Sequence, residues 1–270
     1  MHSGLAAIIE GLPYILGGIG VTLTVVAGAL AMGLALGLFL AVAQVYGRPW
    51  LKRTVGVYVW FFRGIPLLVL LFLIYFGILA ALEIDLSPFT IAIVVLGLIS
   101  SAYQSQILRG AILSVPEGQM KAARAIGMSD GRAIAFIILP QAVRLALPGW
   151  SNEFTVIMKD SAVTYALGVA ELMARTNHTA SRTYQHFWLY LMVGFIYMLL
   201  TWLGTRALHI LEERAERVDV TPLPSGAVRV DADFGFRNPT STFTITDGVW
   251  LDNGLPTGTA GNGVKDGTEA

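Results

Sequence analysis

Residues 11–47 read GLPYILGGIGVTLTVVAGALAMGLALGLFLAVAQVYG, without a single Asp, Glu, Lys or Arg. The hydrocarbon core of a bilayer is about 30 Å thick and accommodates roughly 20 apolar residues as a helix. This run is longer than one crossing needs, so it tilts, bends or projects beyond the lipid. Its glycines at 17, 18, 20, 28, 33 and 37 allow a bend or a close helix contact. Gly64–Leu82, Leu86–Leu108 and Phe187–Thr205 are equally free of charge. Met1–Glu10, which carries one acid and no base, does not read as a cleavable signal peptide.

The composition agrees with a bilayer protein: of 270 residues, 55% are hydrophobic and only 13% charged, which argues against a soluble enzyme. Eighteen basic and 18 acidic side chains cancel, giving no reason to expect a nucleic-acid partner. The balance is uneven along the chain. Residues 1–218 carry 15 basic and 11 acidic side chains (+4), and residues 219–270 carry 3 and 7 (−4). With no cysteine, disulfides and thiolate metal sites are excluded. The histidines at 2, 178, 186 and 209 form no helical metal-ligand pair, so no metal site is expected.

A fifth crossing is expected over Ile134–Lys159, although Arg144, Glu153 and Lys159 interrupt it and Pro140 and Pro148 break its hydrogen bonding. Basic residues follow the first span (Arg48, Lys52, Arg53), the third (Arg109, Lys121, Arg124, Arg132) and the last (Arg206, Arg214, Arg217), while Glu83 and Asp85 mark the second connection. Five crossings put all three basic clusters on the cytoplasmic side. The expected fold is therefore all-α, with five transmembrane helices within residues 1–218, the N-terminus outside and the C-terminus cytoplasmic. Residues 219–270 turn to Gly, Thr, Asp, Asn and Pro and read as a flexible cytoplasmic tail, in which Thr242–Ile245 is a weak strand candidate.

Between spans three and four the chain reads Val115-Pro116-Glu117-Gly118-Gln119-Met120-Lys121-Ala122-Ala123-Arg124-Ala125-Ile126-Gly127-Met128-Ser129-Asp130, continuing to Ile137-Ile138-Leu139-Pro140. Pro116 and Glu117 suit a helix start, Glu117 and Lys121 form an i, i+4 pair, and Gly127 is an available stop. A short amphipathic helix on the cytoplasmic surface, within about 117–132, is predicted. On these grounds alone it reads equally well as an interfacial helix or as a docking element.

The string from Lys121 to Pro140 resembles the permease signature of binding-protein-dependent ABC importers, with Ala122, Ala123, Gly127, Ile137, Leu139 and Pro140 at matching positions. Lys121 departs from the acid usual there. Phe62-Arg63-Gly64-Ile65-Pro66-Leu67-Leu68, Ser151-Asn152-Glu153 and Met158-Lys159-Asp160-Ser161 resemble the polar amino-acid branch of that family. The resemblance implies a type I importer permease in the bacterial inner membrane. It also implies a homodimer or paralogous heterodimer, two cytoplasmic ATPase subunits that bind ATP and Mg, and an extracytoplasmic binding protein. Lys121, Ala122, Ala123, Arg124, Gly127 and Met128 would then form the coupling helix against the ATPase. No GxxxxGK[ST] phosphate loop occurs in the chain, so the nucleotide belongs to another polypeptide and the chain itself is no enzyme.

A charge at the centre of a membrane helix costs about 2.5–3.5 kcal/mol on insertion scales, so such groups face a cavity, a partner charge or water. Glu153 and Asp160 are two helical turns apart and share one face if the helix is continuous, with Asn152, Thr155 and Lys159 on an adjacent one. That pattern makes Glu153, Asp160 and Asn152 candidates for contacting the ammonium group or a basic side chain of an amino acid. The blander alternative is that Lys159 neutralises the acids near an interface. Arg63 either snorkels to the cytoplasmic interface or gates the path, and Pro66 should bend its helix unless it lies in the first turn. Ala170–His186 reads as a solvated outer connection. A nucleotide-independent transporter or channel, or a membrane enzyme using Glu153 and Asp160, are the other classes considered.

Overall fold

The computed structural model describes residues 4–218, and every described element is helical or a turn. The tail at 219–270 lies outside the described residues, including the strand candidate Thr242–Ile245. Of the options open to the long charge-free run, it bends, into two helices: α1 (Gly4–Leu16) and α2 (Ile19–Tyr46). The break falls at Gly17-Gly18 because the chain there passes against another backbone. A Cβ at Gly18 would stand 2.8–2.9 Å from the backbone of Glu171 and Leu172.

Helix α2 packs along α5 (Pro88–Ser114), which starts with Ser87 accepting from the Thr90 amide and with Pro88 in the first turn. The glycines at 33 and 37 bring the two backbones together, since Cβ atoms there would meet Ser100, Gln104 and the Ser105 amide at 2.6–3.1 Å. This contact makes α5 the central helix, 67% buried over a membrane-length window against 11% for the last helix, α10 (His186–Val218). Val25, Val26, Val95, Leu96, Ile99, Ile157 and Met158 fill one core; Ala41, Leu108, Ile112, Ile138 and Ala142 fill another at the end where the basic clusters lie.

Four helical runs among the described residues are long and apolar enough to cross a membrane: 19–46, 88–114, 130–167 and 186–214. A fifth exists only when α3 (Pro49–Gly64) and α4 (Leu67–Phe72, continued as a π-helix to Leu79) count as one span bent by 106°. The crossing expected over 64–82 is bent at the proline the sequence pointed to: Pro66 stands at the break and opens α4 instead of sitting inside a helix. Tyr58 anchors α3 to α5, its hydroxyl donating to the Leu98 carbonyl at 3.0 Å and lying 2.6 Å from Ser101 Oγ.

The helix expected within 117–132 is two pieces, α6 (Glu117–Ala125) and α7 (Asp130–Ala133), followed by a π-helical turn, 134–138, and then α8 (Leu139–Asp160). Pro140 has no N–H to donate and its ring crowds the preceding turn, which the wider π turn accommodates. Helix α8 stays continuous past Pro148 to Asp160, then tightens into a 3-10 helix, 161–167. The outer connection is not a solvated loop either. It forms α9 (Leu172–Thr183), packed on α1 and α10 through Leu172, Ala180, Ile15 and Leu189.

Candidate functional site

Glu153 lies at the contact of α5 with α8 and is only 2% exposed. Ser100 Oγ donates to its Oε1 at 2.7 Å; Gln104 Nε2 donates in turn to Ser100 Oγ at 3.0 Å and to the Leu30 carbonyl of α2 at 3.1 Å. Three helices therefore meet through one polar chain in an apolar setting. Gly33 leaves the room for it. A carboxylate there is tolerable only while hydrogen bonds and nearby charge compensate its lost hydration. Arg63 and Asp160 are both close enough to act on its charge.

Because α8 is continuous, Glu153 and Asp160 do share a face, with Asp160 half-buried at the helix end. Asn152 and Lys159 are exposed on other faces, so Asn152 is not brought beside Glu153. Arg63, exposed at the end of α3, stacks its guanidinium 4.7 Å above the ring of Tyr103 on α5. The backbone bends directly after it, at Ile65-Pro66. Ser100, Gln104 and Tyr103 were missed in the sequence because Ser, Gln and Tyr in a charge-free span carry no hydropathy signal.

The second constellation is the turn after α6. The Met128 amide donates to the Ala123 carbonyl and the Gly127 amide to the Arg124 carbonyl, both at 3.0 Å, with Gly127 at φ +81°. This is a Schellman end, and the left-handed residue favours glycine. Arg124 clamps the turn by a two-pronged pair to Asp130, 2.8 and 3.0 Å. Lys121 and Glu117 approach at 3.6 Å in the open. Ala122 and Gly127 are exposed and Met128 is half-buried, whereas Ala123 is fully buried and turned toward the bundle. Of the two alanines only Ala122 is open to a partner, beside Gly127 and Ile126, which is 77% exposed. An apolar residue just before a glycine stop was the available signal for Ile126.

At the opposite end, Glu171 is fully buried, although the sequence places it in a polar connection. It accepts from the Met173 and Ala174 amides at 2.8 and 2.6 Å, capping α9, and from the Tyr197 hydroxyl. Thr22 Oγ1 accepts from the neighbouring Leu172 amide at 3.2 Å. Burial pushes the Glu171 carboxyl above its ordinary value, while the hydrogen bonds from Tyr197 and the two amides pull it back.

An apolar helical bundle with a buried carboxylate and an exposed, clamped turn defines an integral-membrane transport subunit better than an enzyme. Residues 33–217 match the family described as binding-protein-dependent transport system inner membrane component, and the chain belongs to that family. It is 36% identical over 191 residues to a probable amino-acid ABC transporter permease, PatM, of Vibrio harveyi, covering 70% of this chain and 86% of that one. It is 34% identical over 209 residues to the octopine permease OccQ of Rhizobium meliloti (73% and 88%) and 32% identical over 209 residues to the arginine permease ArtQ of Bacillus subtilis (76% and 95%). A solved structure titled as an amino acid ABC transporter with histidines superposes with a TM-score of 0.71 at 33% identity, covering 79% of this chain and all of that one. The methionine transporter MetNI, at 21% identity and a TM-score of 0.57, shares the fold. The chain is thus an inner-membrane permease subunit of the ABC importer type, and this membership weighs against a nucleotide-independent transporter or a membrane enzyme.

Proposed function

We propose that this permease carries a neutral or basic amino acid, delivered by an extracytoplasmic binding protein, past Glu153 and Asp160. It works as a homodimer or with a paralogue, against two cytoplasmic subunits that bind and hydrolyse MgATP. The N-terminus faces outward and the last helix ends in the cytoplasm. ATP-driven approach of the two motors pushes on the α6–α7 turn and shifts the bundle between inward- and outward-open states. What supports this reading most is the α6–α7 turn: Ala122, Ile126 and Gly127 stand exposed on a rigid, doubly hydrogen-bonded corner flanked by the Arg124–Asp130 pair. Such a corner offers a partner a close apolar approach with a charged rim that fixes its orientation. The acids of α8 favour a positively charged ligand group, and two of the relatives are named for arginine and octopine.

The test is uptake by proteoliposomes holding the permease with its co-expressed ATPase and binding protein. Uptake should require ATP on the ATPase side. Glu153→Gln should lower uptake of basic amino acids by roughly 10-fold or more, the worth of a hydrogen bond to a charged group. Uptake without ATP would refute the coupling, and an unchanged substrate range in Glu153→Gln would remove the assigned role of the carboxylate.

A further inference from the structure

The corner between α2 and α3 holds an apolar groove of about 450 Å³, bounded by Leu38, Phe39, Val42 and Tyr46 of α2, Leu51 of α3 and Leu139 of α8. Arg48 and Lys52, next in sequence to Gly47 and Leu51 of its wall, and Arg53 one residue further on are all exposed, on a stretch where no Asp or Glu occurs between residues 11 and 82. Lys52 uses one of its donors on the Val45 carbonyl, 2.8 Å away, which holds it at the corner and leaves two free. The first turn of α3, which begins at Pro49, has no side-chain cap, so its positive end adds to the same rim. Tyr46, which lines the groove, and Trp50, one residue before Leu51 of its wall, are 41% and 64% exposed, and amphipathic rings of this kind are enriched where a bilayer meets water.

We propose that this groove binds one anionic phospholipid, its phosphate on Arg48, Lys52 and Arg53 and an acyl chain along Phe39 and Val42. The charge pattern selects this occupant. A free phosphate has no use for the apolar channel, and a two-fold contact of the face with itself would bring two sets of three cations together. A zwitterionic lipid fills the channel but gains less at the rim. The site would tie the α2–α3 corner to the lipid beside the basic end of the bundle. The proposal rests on α2 and α3 lying in the membrane, and not on which side faces the cytoplasm.

The assembled complex, reconstituted in nanodiscs whose two leaflets are alike, provides the test. Brominated phosphatidylglycerol or brominated phosphatidylcholine is added at equal mole fraction, and the Trp50 signal is taken as the difference from Trp50→Phe. The anionic lipid should quench Trp50 more, and that preference should fall about fivefold for each cation removed in Arg48→Gln and Arg53→Gln. Should the variants fail to assemble, native mass spectrometry of the wild-type complex decides: retained phosphatidylglycerol should exceed phosphatidylcholine, and the excess should shrink as salt rises. Equal quenching and retention of both lipids overturns the site, as does displacement of the bound lipid by inorganic phosphate alone. No quenching of Trp50 by either lipid would show instead that the α2–α3 corner is not in the bilayer, which is a failure of the membrane reading.

Discussion

Gly33→Ala places one methyl group where α2, α5 and α8 share their polar chain. The new Cβ would stand 2.6 Å from Gln104 Nε2, 2.7 Å from Ser100 Oγ and 2.8 Å from Ser100 Cβ. The Gln104 amide can swing aside, but Ser100 Cβ is fixed to the α5 backbone, so the helices must separate. Overpacking of this kind costs about 1–3 kcal/mol. Displacing Ser100 also removes the hydrogen bond to Glu153, and a bond to a charged group contributes about 1.5–3 kcal/mol. The helix-propensity gain of Ala over Gly returns about 1 kcal/mol, leaving a net loss of about 1.5–5 kcal/mol. Gly20 is the internal control, because a Cβ there meets nothing within 4 Å and Gly20→Ala should be neutral or stabilising. Thermal unfolding of the detergent-solubilised complex should drop by about 3–20 °C for Gly33→Ala and by none for Gly20→Ala. Ser100→Gly on the Gly33→Ala background should restore part of the packing loss and none of the hydrogen bond. If Gly33→Ala melts with wild type, the α2–α5 contact is looser than described and the reasoning fails.

The two alanines of the α6 turn should separate cleanly. Ala123→Leu, at a fully buried position, should lower the melting temperature, while Ala122→Leu, at an exposed one, should melt normally yet lose substrate-stimulated ATPase activity. Gly127→Val forces a β-branched residue to φ +81° and should cost about 1–3 kcal/mol, weakening ATPase stimulation as the Met128–Ala123 bond loosens. Lys121→Ala removes only an exposed 3.6 Å pair and should change the melting free energy by less than about 0.5 kcal/mol. Glu171→Ala should destabilise by about 0.5–2 kcal/mol from the lost cap alone. Because burial holds that carboxyl above its unfolded value, the folded chain keeps a proton longer; its stability is full below the unfolded value and falls as pH rises through the folded one. Glu171→Gln, which does not titrate, should flatten that part of the pH–stability curve.

The crossings were legible where hydropathy alone decides, as in α5 and α10. They were only partly legible where backbone contact decides. Gly17-Gly18 allow a bend or a close contact in the sequence, but the segment that presses on them, at Glu171, is announced by nothing local. Pro66 announced a bend but not its 106°, which depends on α3 turning to stack Arg63 on Tyr103 and bond Tyr58 to α5. Glu153 stood out as a charge in an apolar run, whereas Ser100 and Gln104, which make that charge tolerable, did not. In the α6 turn the motif does not carry the helical phase that hides Ala123 and exposes Ile126, which is fixed by packing against α7 and the π turn. Glu171 was assigned to solvent with the rest of the connection 170–186, although Leu172, Met173 and Ala174 follow it directly; the cap position turns its carboxyl inward, onto the Met173 and Ala174 amides.

One uninterrupted stretch of chain, from Glu117 to Thr183, carries the exposed turn, Glu153, Asp160 and the Glu171 cap. Between the turn and the carboxylates the helical backbone has two weak places, the π turn before Pro140 and the missing donor at Pro148. On the proposed coupling, a push at Ile126 would reach Glu153 through a rod that bends at these two points. Glu153 is bonded across to Ser100 of α5, and α5 is packed along α2. If α8 pivots alone, the Glu153–Ser100 bond must break and leave a buried carboxylate without its donor, a loss of several kcal/mol unless a ligand cation replaces it. If α5 travels with α8, the bond survives and the gap opens elsewhere, beside α3 and Arg63. The first alternative makes a cationic substrate group a requirement for motion, so that ATPase stimulation depends on substrate in wild type and becomes substrate-independent in Ser100→Ala, where no bond remains to be broken. Stimulation that stays equally substrate-dependent in Ser100→Ala selects the second.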